Sequence, residues 1–127
     1  MIIRTLKEIF GTSRVIKGQN WRSERLLLAE DKMGFSLHIT TMTAGSSTQM
    51  CYKNHLEAVF CIEGQGFITE LQTNKRFQVC PGTVYALNEH DSHLLEAETE
   101  MRFVCVFSPP CIGTEVHDEE GSYPLLS

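Results

Sequence analysis

From Arg25 onward the chain is a series of short apolar or alternating segments, each ended within a few residues by turn formers. That punctuation restricts the fold more than any other feature. The spacing predicts strands over Arg25–Ala29, Phe35–Thr41, Leu56–Ile62, Gly66–Leu71, Arg76–Val79, Thr83–Leu87, Ser92–Glu98 and Arg102–Phe107. Between them stand residues 31–34 and 45–48, Gly64, Thr73-Asn74, Pro81-Gly82, residues 89–91 and Pro109-Pro110, all of which favour bends over extended chain. One short helical turn is expected over Thr5–Phe10, closed by Gly11. Many short strands without a long amphipathic helix indicate an all-β sandwich or barrel. At 127 residues the chain is one domain, large enough to bury a core without staples.

Charge and cysteine usage narrow the functional classes. A net charge of -5 and the lack of a basic stripe argue against nucleic acid as a partner. Small anionic ligands stay open, since one placed arginine can hold a carboxylate. No apolar run is long enough to span a bilayer, and Arg4, Lys7 and Glu8 interrupt the first ten residues where a leader would be apolar. No membrane role is expected. Five cysteines, an odd number with no C-x-x-C, read as reduced thiols in a cytoplasmic protein.

On a strand, residues two apart share a face, so His55 and Glu57 point the same way. Tyr85 and His93 lie one hairpin further on, and a carboxylate, an imidazole and a phenol converging in a cavity make a metal site. By the same parity Phe103, Cys105 and Phe107 form one face, Thr83, Tyr85 and Leu87 another, and His38 with Thr40 a third. Each residue also has a plainer reading. A strand tyrosine is more often a core residue whose hydroxyl finds a hydrogen bond. Trp21, the sole tryptophan, serves as a core anchor, and Arg25 as a solvated strand-end charge. The run Asp118-Glu119-Glu120 reads as a solvated turn.

Glycine and ligand spacings then point to a family. Gly45-x5-Cys51-x-Lys53-x3-Glu57-x6-Gly64 keeps the spacing of the first cupin motif, with Cys51 and Lys53 where two histidines are usual. Gly82-x10-His93 keeps the glycine-to-histidine spacing of the second. The chain thus resembles a cupin, a jelly-roll β-barrel, that retains Glu57 and His93 but lacks the usual histidine pair. The blocks Asn20 to Ser23, Arg25 to Leu28, Met33 to Ser36, Asn54 to Val59, Tyr85 to Leu87, Glu115 to Asp118 and Tyr123 to Leu126 are similar to the ectoine synthase family. Cys51 and Thr114 depart from its pattern, standing where an aromatic and an arginine are expected.

That resemblance implies a hydro-lyase that closes N-γ-acetyl-L-2,4-diaminobutyrate into ectoine, a compatible solute made under osmotic stress. It implies Fe2+ as the ion, with Zn2+ an alternative, on Glu57, Tyr85 and His93. Tyr52, His55, Glu115 and His117 become the candidate proton-transfer residues, and Trp21, Arg25, His38, Thr40, Cys105 and Phe107 the substrate contacts. It further implies a homodimer. Residues 1–110 are expected to form the barrel and 111–127 a C-terminal tail that acts as a lid, hinged at Gly113 and Gly121. Val116, Tyr123, Leu125 and Leu126 are its expected docking residues. Two rivals stay open: another metal-dependent cupin enzyme, such as an iron oxygenase, and a cupin that binds a solute without converting it.

Overall fold

Thr5 caps the first element, its hydroxyl accepting the Glu8 amide at 3.1 Å, and α1 (Leu6–Ile9) ends before Gly11, which takes φ +75°. The computed structural model describes residues 1–125; Leu126 and Ser127 lie outside the described residues. Ten strands follow: β1 (Val15–Lys17), β2 (Trp21–Leu27), β3 (Ser36–Met42), β4 (Ser47–Met50), β5 (Leu56–Glu63), β6 (Gly66–Glu70), β7 (Lys75–Val79), β8 (Val84–Leu87), β9 (His93–Ala97) and β10 (Met101–Ser108). Eight of them match predicted segments. The others, β1 and β4, are short and carry no apolar alternation for a reader to find.

The largest boundary difference is in β2, which starts at Trp21 and not at Arg25. It buries Trp21, Ser23, Glu24 and Arg25, so three of its four buried positions are polar and the alternation is hidden. The far end differs too. Ala29–Asp31 forms a 3-10 turn because the Asp31 carboxylate accepts the Leu28 amide at 2.9 Å and is itself held by Arg4 at 3.0 Å.

The strands make two antiparallel sheets, ordered β1-β2-β3-β10-β5-β8 and β4-β9-β6-β7. They face each other as a jelly roll. No ladder joins them among the described residues, so the expected barrel is open at its seams. Alternation is cleanest in β5 and β10. Glu57, Val59 and Cys61 face in while Leu56, Ala58 and Phe60 face out, and Met101, Phe103, Cys105 and Phe107 all face in. Ile68, Val79, Leu95 and Ala97 meet them from the smaller sheet. Burying each large side chain in this layer contributes about 1.5–3 kcal/mol. Gly64 turns β5 into β6 at φ +89°, where a Cβ would lie 2.1 Å from the Glu100 carbonyl oxygen.

Past Ser108 the chain runs as an irregular strap over one end of the sandwich. Ala29 donates to the Cys111 carbonyl at 2.8 Å, Cys51 to that of Gly121 at 3.0 Å, and the Asn54 amide to that of Tyr123 at 2.9 Å. Asp118 to Glu120 form an exposed turn, closed by the Asp118 carboxylate accepting the amides of Glu120 and Ser122. Tyr123 packs in the core as expected, but Val116 and Leu125 face solvent. Gly121 serves close packing more than hinging: a Cβ there would stand 2.4 Å from the Gln49 carbonyl oxygen.

Candidate active site

A cavity lies between the sheets beneath this strap, lined among others by Trp21, Thr40, Tyr52, Glu57, Tyr85, Cys105, Phe107, His117 and Tyr123. Only about 30 Å³ of it admits the centre of a water molecule. That is room for about two waters. The inward parity of β5, β8 and β10 supplies Glu57, Tyr85, Cys105 and Phe107. The strap supplies His117 and Tyr123.

Glu57 and Tyr85 come from neighbouring strands of the large sheet, while His93 opens β9 of the small one. The Tyr85 and His93 rings stand 6.2 Å apart, and both line a recess next to the cavity, shared with Glu70 and Asp91. Burial pushes the Glu57 carboxyl up to about 8, partly opposed by a hydrogen bond from the Cys105 thiol. Burial likewise raises the Tyr85 hydroxyl well above its ordinary range. His93 donates Nδ1–H to the Asp91 carbonyl at 3.0 Å, so its lone pair is on Nε2, which is buried and has no hydrogen-bond partner. A backbone carbonyl on one ring nitrogen and a free lone pair on the other is how metal-bound histidines are held. The donor set of carboxylate, phenol and imidazole therefore fits a divalent ion.

Tyr52 and His117 form a second pair, with Tyr52 Oη and His117 Nε2 at 2.7 Å. Burial, with the Arg25 charge second, lowers the His117 pKa to about 4, so at neutral pH the imidazole is neutral and shares one proton with the phenol across this contact. Tyr123 stacks on His117 at 4.9 Å, and Trp21 lies 5.1 Å from it on another side. His90 holds this arm from behind, donating Nδ1–H to the Tyr52 carbonyl at 2.8 Å.

Arg25, His38, His55 and Glu115 do not line the cavity; they form a polar layer beside it. The Arg25 guanidinium is fully enclosed. It donates Nη2–H to the Glu115 carbonyl at 2.7 Å, reaches the Glu115 carboxylate at 3.7 Å and lies over the Tyr123 ring. Ser23 Oγ accepts from Arg25 Nε at 3.1 Å and sits 3.3 Å from His38 Nδ1. His55 packs edge-on against Phe107 and Tyr123. Structure thus brings Trp21, Thr40, Tyr52, Glu57, Tyr85, Cys105, Phe107 and His117 to one space, places His93 in the adjoining recess, and keeps Arg25, His38, His55 and Glu115 a layer away.

The chain matches the ectoine synthase family model over residues 1–127. It is 52% identical to the L-ectoine synthase of Saccharophagus degradans over 125 residues, 98% of this chain and 95% of that protein. The chain belongs to the ectoine synthase family. The crystal structure of ectoine synthase from P. lautus superimposes with a TM-score of 0.89 at 51% identity, covering 100% of this chain and 91% of that one. The cupin domain of Schizosaccharomyces pombe Cnp3 shares the fold alone, at a TM-score of 0.60 and 12% identity over 72% of this chain and 66% of that one.

Within this ectoine synthase family member, Tyr123 is the site residue that sequence reasoning undervalued. It was expected only as apolar docking surface, yet it lines the cavity, stacks on His117 and covers Arg25. No periodicity marks it, because the strap has none. His117 also makes the strap sensitive to acid. Its docked pKa lies below its free value, so a released strap binds a proton that the docked one refuses, and docking weakens as pH falls. The stabilisation is complete above about pH 6.5 and lost toward about pH 4. Hydrogen exchange of residues 115–123 should accelerate across that window before the sheets respond, and His117→Gln should remove the step. Strap protection unchanged between neutral pH and pH 4 would contradict this.

Proposed function

We propose that the chain is a hydro-lyase that cyclises N-γ-acetyl-L-2,4-diaminobutyrate to ectoine with loss of water. The observation that carries this reading is the match to ectoine synthase over all 127 residues, with relatives near half identity. The setting we infer is cytoplasmic compatible-solute synthesis under osmotic stress, in keeping with five unpaired cysteines.

Glu57, Tyr85 and His93 are the residues we assign to the ion, Fe2+ by family resemblance or Zn2+. Bound there, a divalent ion supplies Lewis acidity to a poorly electrophilic amide carbonyl. The chain's own residues do the rest. Trp21 and Phe107 present aromatic faces on which the cationic end of a bent substrate can lie. Holding amine and carbonyl together is worth up to roughly 7–11 kcal/mol in favourable intramolecular cases. Tyr52 and His117 move the proton, since phenol and neutral imidazole already share a hydrogen bond of 2.7 Å. His55 and Glu115 support that pair from the next layer, and Arg25 anchors Glu115.

The strap acts as a lid in this reading. A space for about two waters does not hold an acetylated diamino acid, so substrate entry requires the strap to lift. Its return excludes bulk water from a reaction that expels water.

Incubating metal-reconstituted protein with the acetylated diamine in the absence of oxygen tests the proposal. Ectoine should form, and exhaustive chelation should stop it. Binding without conversion would favour a solute-binding cupin, and product formed only with oxygen would favour an oxygenase.

The assembly we propose is a homodimer. β8 is an open edge of the large sheet, Val84 on it is 62% exposed, and Phe60 and Leu56 continue the apolar face on β5. Ile2 and Ile3 are also exposed, in an N-terminal segment without regular secondary structure, suited to covering such an edge in a second copy. Light scattering at micromolar concentration should give twice the 14.4 kDa chain mass, and Val84→Lys should shift it toward one. A wild-type monomer would rule the dimer out.

A further inference from the structure

Three chemically distinct ligand groups meet under the strap, apart from Glu57, Tyr85 and His93. His55 precedes β5, Cys111 follows Pro110, and Glu115 lies four residues further on; their ligating atoms all fall within 4.8 Å of one another. Exposure is 2% at His55, 0% at Cys111 and 2% at Glu115. His55 Nδ1 is buried and has no hydrogen-bond partner, an arrangement that is costly unless a further group meets it. We propose that His55, Cys111 and Glu115 form a second cation site, for a borderline-soft divalent ion of the zinc class.

The chemistry suits that class. Nitrogen, thiolate and carboxylate together select a zinc-like ion, whereas two oxygens and one nitrogen make the Glu57 site harder. Ligand atoms around tetrahedral zinc stand roughly 3.3–3.7 Å apart, so the cluster needs to contract by about 1 Å. Glu115 is already braced, its two oxygens accepting the Ile112 amide at 2.7 Å and the Gly113 amide at 2.9 Å while keeping further lone pairs. Burial keeps the Cys111 thiol protonated without metal. Binding therefore breaks the S–H bond, forms a metal–sulfur bond and releases one proton to solvent. The thiolate charge gained offsets the nearby Arg25 cation, whose guanidinium is 3.7 Å from Glu115. An ion here would pin the strap to the start of β5. Resting on the proposed roles of His55 and Glu115, it would also inhibit turnover.

Cobalt(II), titrated into metal-free full-length protein, is the probe. A sulfur-to-cobalt charge-transfer band should appear and survive Glu57→Ala, which removes the other site. Cys111→Ser should abolish the band and weaken cobalt binding at this site at least roughly 100-fold, beyond what losing an outer-shell partner costs. Cys105→Ser, which removes the thiol beside Glu57, should leave it unchanged. No band, a band surviving Cys111→Ser, or one lost with Cys105→Ser would overturn the proposal. Zinc-edge absorption on the zinc-loaded Glu57→Ala protein gives an independent check. One sulfur neighbour at about 2.3 Å per ion in Glu57-independent zinc is required, and its absence overturns the site.

Discussion

Replacing Glu57 or His93 with alanine is expected to abolish both metal binding and turnover while leaving the two sheets folded. Each side chain is buried, and neither carries the packing of its strand, which falls to neighbours such as Val59 and Leu95. His93 is pre-oriented by its bond to the Asp91 carbonyl, so losing it removes a ligand already paid for in entropy. If the ion supplies about 4 kcal/mol of transition-state stabilisation, turnover falls roughly a thousandfold. Elemental analysis and rate should fall together, and Tyr85→Phe should lose more metal than a packing variant at Leu95. Full metal content in His93→Ala would sink the assignment. The metal-free wild type offers an independent reading. Glu57 holds its proton in the fold up to about pH 8 but loses it in the unfolded chain near the ordinary carboxyl value of 4.5. The folded state then binds more protons between those values, so stability falls as pH rises through that window. Glu57→Gln should flatten that slope, measured as Tm against pH.

Truncation after Pro110 is expected to remove activity and most of the stability. A lid of residues 111–127 that merely hinged on the barrel of residues 1–110 would come away at little cost to the fold. Its contacts argue otherwise. Arg25, 0% exposed, would lose the Glu115 carbonyl and carboxylate and keep an unpaired charge, which costs about 3–5 kcal/mol. Removing Tyr123 from the core adds about 3–5 kcal/mol. Together these approach the whole stability of an ordinary domain, about 5–15 kcal/mol. Adding Arg25→Met to the truncated chain should recover part of the loss, because it deletes the stranded charge. A truncated protein with wild-type Tm and full turnover would reduce the strap to an ornament.

Much of the fold was legible because strand alternation is local information. In β10 every second residue is apolar and buried, a pattern that burial on one face enforces, while β5 is apolar at every position but Glu57 and Glu63 and reads as a strand from its length and β-branched or aromatic content. The Thr5 cap and the Gly64 turn were legible for the same reason, each being a short-range demand of the backbone. β4 was not, since Ser47 to Met50 pairs with β9 through backbone bonds that leave no apolar signature. The candidate metal residues were legible from spacing and family resemblance together.

Distances across the molecule were not. The sequence alone determined an all-β jelly roll of the ectoine synthase family and the inward faces of its longest strands, since both reside in local spacing and motif identity. Only the tertiary structure decided that Glu57 and His93 come from opposing sheets, that Arg25 is clamped by Glu115 ninety residues away, and that His55 turns from the cavity toward Cys111. A period of two says which side a residue faces, but not what stands on that side. That depends on sheet order and on the path of an irregular strap, which are set by long-range burial.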